Sequence, residues 1–213
     1  MEILYQDKQI VVCVKPVGLT SEEGDNGLPG ELRRLLGGEI YPVHRLDQNV
    51  GGIMVYARGK EAAASMSRMV QENRLIKEYL AVVASVPQPQ EGVLEDFLWK
   101  DSGKNKVFVV KRPRKGVKLA KLSYRVLQSG DRSLVQVRLF TGRSHQIRVQ
   151  FASRGWPLVG DHKYGSRDLE KAPALFSFRL TFPHPKSGEE LTFMRLPENE
   201  PWSTFPQIDP AEL

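Results

Sequence analysis

A chain of 213 residues with 40% hydrophobic and 26% charged side chains is long enough to bury a core and has no apolar run of bilayer length. The single cysteine, Cys13, excludes an internal disulfide. A net charge of +6 conceals a stripe: 15 Lys and Arg against Asp101 and Asp131 put +13 into residues 100–154, while Glu198, Glu200, Asp209 and Glu212 give the last 16 residues −4. A solvated face is the commoner fate of charge runs, but so lopsided a surplus favours a polyanion such as nucleic acid. Met1 to Asp7 has no basic stretch leading into an apolar run, so no secretory signal is read there and a cytoplasmic protein is expected.

Along the chain, Ile10 to Lys15 reads as a strand closed by Pro16 and Gly18, with Cys13 inside it. Pro29 to Leu36 reads as a short helix with Pro in its first turn and Gly37-Gly38 past its end. Ile53 to Arg58 is an apolar run suited to a buried strand. Lys60 to Arg74 is rich in Ala and Met, with Ala63, Met66 and Val70 at helical spacing. Leu75 to Val86 reads as a strand and Pro87 to Gly92 as a loop too short for a domain linker. Strands are expected at Val93 to Trp99, Lys106 to Val110, Ala120 to Leu127 and Leu134 to Phe140, with Gly130-Asp131 turning the last pair. A helix is expected from near Ser144, capped by its hydroxyl, to before Gly155. Leu175 to Phe182 and Leu191 to Leu196 form a closing hairpin around His184 to Gly188. Many strands with a few interspersed helices argue an α+β fold. One domain over residues 1–197 with an acidic C-terminal tail at 198–213 is expected.

Three runs carry the chemistry. His44-Arg45-Leu46-Asp47 sets an acid before Gly51-Gly52 and an apolar strand; Lys77-Glu78-Tyr79-Leu80-Ala81 follows; then comes Thr141-Gly142-Arg143-Ser144-His145-Gln146-Ile147-Arg148-Val149. In this order they resemble the signature motifs of the RluA-type RNA pseudouridine synthases. The likeness includes Val14 to Leu19, Pro157-Leu158-Val159-Gly160-Asp161-His162-Lys163-Tyr164-Gly165, and Phe182-Pro183-His184-Pro185 with Leu196-Pro197. It covers residues 2–197. It implies a pseudouridine synthase fold, a mixed, largely antiparallel sheet with packed helices and a central RNA-binding cleft. The reaction implied detaches uracil from its ribose, turns it and rejoins it through carbon 5, with no cofactor. It also implies that the small RNA-binding module preceding this domain in many relatives is missing.

Remaking a base-to-sugar bond needs a carboxylate near sugar and base, as nucleophile or as base. Asp47 is the candidate, and by resemblance it is the catalytic aspartate; its action at the sugar or at the ring stays open. A carboxylate in a closed cleft is kept ionised and oriented by a nearby Arg, and by resemblance that partner is Arg148. Tyr offers a flat surface with a polar edge, and by resemblance Tyr79 stacks on the target base, its hydroxyl serving the proton at carbon 5. Read alone, Arg148 is a surface helical residue and Tyr79 a core strand residue; the motifs move both to the site. Arg45 matches a residue that enters the RNA stack in some relatives, with phosphate contact the plainer reading. His44, Lys77 and Arg143 complete the motif residues expected to bind RNA, and Lys111, Arg112, Arg114 and Lys115 are expected to grip phosphate from a strand-and-loop arm spanning Lys100 to Lys121.

Val50-Gly51-Gly52 stand where relatives usually have Thr-Ser-Gly, so two hydroxyls are absent. The four histidines lack zinc-site spacing, and neither Gly51-Gly52 nor Thr141-Gly142-Arg143 makes a phosphate loop, so neither a metal nor a nucleotide cofactor is expected. The expected partner is ribosomal or transfer RNA, ribosomal slightly preferred, acted on by a monomer away from membranes. Two other classes compete: a non-catalytic RNA-binding or ribosome-assembly factor on the same fold, and a hydrolase releasing free base. Retention of Asp47, Tyr79 and Arg148 argues against the first.

Overall fold

The computed structural model describes residues 1–205 and 213; of the expected acidic tail, residues 206–212, with Asp209 and Glu212, lie outside the described residues. The chain divides into two compact units, one of Met1–Lys77 with Phe176–Leu196, the other of Glu78–Leu175 with Pro197–Leu213.

In the first unit, β1 (Glu2–Gln6), β2 (Ile10–Lys15) and β4 (Gly51–Ala57) form an antiparallel run, with the two-residue β3 (Tyr41–Pro42) pairing the far end of β4. The later β10 (Leu175–Pro183) joins β4 in parallel at Phe176↔Gly51 and Ser177↔Gly52, and β11 (Glu190–Met194) closes a hairpin on β10. That parallel pair explains a glycine. Gly52 has φ +122, and a Cβ there would fall 2.4 Å from both Ser177 N and Ser177 O. Any other residue would push β10 off the strand that begins just after Asp47 and its turn. Ile10, Val12, Ile53, Val55, Leu180 and Phe182 build the core with Met66 of helix α2 (Lys60–Gln71) and Leu75. Helix α1 (Leu28–Leu36) ends at Gly37, as its sequence predicts. Helix α2 stops at Gln71, short of the expected Arg74. Asn73 turns left-handed at φ 56, and the Arg74 N–H then closes back onto Met69 O, which ends the helix.

In the second unit the strands run in the order β5, β9, β8, β6, β7, where β5 is Ile76–Val83, β6 Glu91–Asp101, β7 Lys106–Val110, β8 Val117–Gln128 and β9 Ser133–Leu139. The β6, β7, β8 and β9 pairings are antiparallel. Alternation sends Leu98, Val107 and Ala120 to one face, where they pack on Val149 of helix α3 (Gln146–Ala152). The helix does not start as expected. Ser144 does not cap it; the N-cap is His145, held left-handed at φ 50, with no side-chain cap. The Gln146 side chain instead ties down the turn before the helix, its Oε1 accepting the Arg143 N–H at 3.0 Å and the Thr141 hydroxyl at 2.8 Å.

No helix among the described residues is long and apolar enough to cross a membrane, and no cluster of potential metal ligands occurs among them.

Candidate active site

Asp47 lies half-buried in the loop that leads into β4. The loop is pinned on both sides of it. The Ser21 hydroxyl donates to Leu46 O at 2.9 Å and accepts from the Leu46 N–H at 3.2 Å, and Tyr56 Oη donates to Ser21 O at 3.1 Å. On the other side, Gly18 N–H donates to Gln48 O at 2.9 Å, and the Gln48 side chain returns a bond to Gly18 O at 3.0 Å. Lys15 joins the two loops. It is fully buried, and its ammonium donates to Pro16 O, Leu19 O and Gln48 O at 2.9, 2.8 and 3.1 Å. Burial pulls the Lys15 ammonium down to about 8, against the opposing pull of the Asp47 carboxylate. The charge that solvates three carbonyls thus also acts on the acid one residue from Gln48.

Of the motif residues expected to bind RNA, His44 is engaged by the fold and Lys77 is half-buried. His44 Nε2 accepts the Val55 N–H at 3.1 Å, and Nδ1 is enclosed. Burial, helped by Lys77, pushes the imidazole down to about 3, so His44 is neutral and serves β4. Burial also lowers the Lys77 ammonium. A pH dependence follows. The unfolded imidazole binds a proton below about pH 6.5, while the folded one resists until about 3. Between those values the unfolded state holds more protons, so stability falls as pH falls, by at most about 1.4 kcal/mol per pH unit. His44→Gln, whose Oε1 replaces Nε2 as acceptor, is expected to flatten that slope in urea titrations from about pH 6.5 down to about pH 4. An unchanged slope would assign it to other groups. Arg45 is exposed and pairs with Glu22 at 3.2 Å, a contact cheap to exchange for phosphate.

On the second unit, Tyr79 stands in β5 and is buried, at 4% exposure. Arg148, in the first turn of α3, is buried and not the surface residue its helix suggests. Its Nε and Nη2 donate to Asp161 Oδ2 and Oδ1 at 2.7 and 2.8 Å, a two-point pair in which the Asp161 side chain is 1% exposed. Its Cζ sits 5.2 Å from the centre of the Tyr164 ring. The sequence places Asp161 and Tyr164 inside a motif and gives neither a role.

Lys111, Arg112, Arg114 and Lys115 are all exposed, in the loop between β7 and β8, with Arg114 Cζ 5.3 Å over the Trp99 ring. Arg143 is exposed as well, its Nε donating to Leu119 O at 2.9 Å.

Residues 9–153 match the family model described as RNA pseudouridylate synthase. The chain is 34% identical to the dual-specificity RNA pseudouridine synthase RluA of Escherichia coli, over 90% of each protein. It is 32% identical to an uncharacterized RNA pseudouridine synthase of Aquifex aeolicus, over 91% of this chain and 68% of that one. Among solved structures it resembles human RNA pseudouridylate synthase domain containing 4, with a TM-score of 0.76 and 28% identity over 92% of this chain and 88% of that one.

Proposed function

We infer what this site does from the family to which the chain belongs, the RNA pseudouridine synthases, enzymes that isomerise uridine to pseudouridine in RNA. Asp47 is proposed as the catalytic carboxylate. The observation that carries this is the double pinning of its loop, by Ser21 at Leu46 and by Lys15 and Gly18 at Gln48. A reacting carboxylate works when its backbone costs nothing to organise at the moment of reaction, and this one is organised in advance. In the reaction the bond from N1 of uracil to C1′ of ribose breaks, the base turns, and a bond from C5 to C1′ forms. C5 gives up its proton and N1 takes one, so the mass is unchanged and no oxidant or reductant is needed.

Tyr79 is proposed as the surface on which the displaced base stacks, and Arg148 as the cation that orients the reacting carboxylate; both roles come from the family resemblance. The enzyme is proposed to work in the cytoplasm as a monomer, without a cofactor, on structured RNA, ribosomal RNA first and transfer RNA second. Carbodiimide mapping of both RNAs as transcripts treated with the purified protein tests this. A discrete new stop at one or a few uridines is expected. Treated RNA from which free uracil is released instead would favour the hydrolase, and binding without either product would favour the assembly factor.

The basic loop between β7 and β8 is proposed to hold phosphate. Replacing Lys111, Arg112, Arg114 and Lys115 with Ser together is expected to weaken binding of many RNAs alike. It should also flatten the dependence of log K on log salt, by about 0.7 for each phosphate that the variant no longer neutralises on single strands. Turnover at saturating RNA should survive. An unmoved salt slope would make the loop a solubility face, and lost choice of uridine at constant slope would mean that it reads shape or sequence.

A further inference from the structure

Tyr164 lies in a three-residue 3-10 turn, His162–Tyr164, which nothing in the proposed chemistry uses. Its surroundings are nonetheless tightly specified. The Tyr164 hydroxyl accepts the Val107 N–H of β7 at 2.9 Å and is hydrogen-bonded to His145 Nδ1 at 2.9 Å. The two rings meet edge to face, with centroids 5.7 Å apart and planes at 87°. That lock has a backbone counterpart. His145 is one of three non-glycine residues with positive φ among those described, and it adopts this conformation at the N-cap of the helix that carries Arg148. A left-handed non-glycine residue persists only where its neighbours over-determine it.

What the lock presents is a ring face. Arg148 Cζ lies 5.2 Å from the Tyr164 centroid and Lys106 Nζ 5.4 Å from it, both within cation–π range. Asp161 grips the guanidinium by two parallel bonds and belongs to the same short segment, its backbone O accepting the Tyr164 N–H at 3.0 Å. Asp161 and Tyr164 both constrain Arg148. Asp161 grips its edge by two hydrogen bonds, and the Tyr164 ring lies beside it, 5.2 Å from Cζ. A carboxylate alone leaves a guanidinium free to swing about the axis between them; an aromatic ring beside it limits that swing.

We propose that Tyr164 is a positioning residue for the isomerisation: anchored by Val107 and His145, it holds the Arg148 guanidinium in place. The proposal rests on the assignment of Arg148 to the reaction, and it adds a residue that touches neither substrate nor reacting atoms.

The test is a double-mutant cycle read as single-turnover rate at saturating protein, with RNA affinity measured by filter binding. Tyr164→Leu is expected to slow the rate by about 100-fold, the cost of an ångström-scale misplacement, with affinity unchanged. Tyr164→Phe keeps the ring and loses only its anchors, so its rate should fall between wild type and Leu. In an Arg148→Lys background, which keeps the charge and a measurable rate but lacks the planar fork, Tyr164→Leu should cost far less than it does in the wild type, because the group that it positions is gone. His145→Asn, which tolerates the left-handed backbone, should behave like Tyr164→Phe. Losses that multiply in the double variant would overturn the proposal, since Tyr164 would then act independently of Arg148. So would equal rates for the Phe and Leu variants. Full turnover by Arg148→Ala alone would overturn the proposal by a different route, since it removes Arg148 from the reaction before Tyr164 is considered.

Discussion

Asp47→Asn is expected to lower tritium release from RNA carrying 5-tritiated uridine by about a thousandfold or more, the scale of a lost catalytic carboxylate, with folding and RNA affinity close to wild type. The expectation of intact folding comes from the loop. Ser21 holds Leu46 through its backbone N–H and carbonyl, and Lys15 and Gly18 hold Gln48 through its carbonyl, so these bonds survive the substitution. Asn has the shape of Asp and lacks its charge and basicity. Turnover within about tenfold of wild type, roughly 1.4 kcal/mol of barrier, would remove Asp47 from the chemistry.

The second large effect is on stability. The Arg148–Asp161 pair is buried on both sides, with side-chain exposures of 9% and 1%. Removing one partner leaves the other charged and desolvated, which costs about 3–5 kcal/mol. Arg148→Ala is therefore expected to be both inactive and strongly destabilised, and its inactivity alone would prove little. Replacing the pair together, Arg148→Met with Asp161→Leu, removes both charges and should recover most of that stability in urea unfolding while turnover stays lost. A single variant that loses less than about 1 kcal/mol would mean that water reaches the pair and that it behaves as a surface bridge. A double variant that regains turnover along with stability would mean that Arg148 serves the fold alone.

The parts of this molecule that are local in sequence are legible there. Gly37 ends α1, Gly130-Asp131 lies in the connection between β8 and β9, and the β10–β11 hairpin closes around His184 to Gly188. Asp47 is marked by its neighbours in the chain. The features that escape the sequence share a cause, which is that the fold chooses a side chain's partner. His44 reads as a motif residue that binds RNA, but the Val55 N–H that it accepts belongs to a strand that folds back against it. Ser144 reads as a cap, but the helix starts at a left-handed His145 with no side-chain cap, and the Gln146 amide binds the preceding turn at Thr141 and Arg143. Asp161 carries no mark as the partner of Arg148, since nothing in a Gly-Asp turn announces a guanidinium on the preceding helix. The return of residues 176–196 to the first unit is equally invisible, because no linker composition accompanies it.

The most direct measurement is carbodiimide mapping of pseudouridine in total RNA from cells lacking this gene, complemented with the wild-type chain or with Asp47→Asn. Mass cannot report the change, because the isomers weigh the same, whereas the carbodiimide adduct marks the rearranged base. One or a few discrete sites are expected to vanish on deletion, to return with the wild-type chain and to stay absent with Asp47→Asn. Maps identical with and without the gene, or sites restored by Asp47→Asn, would contradict the account.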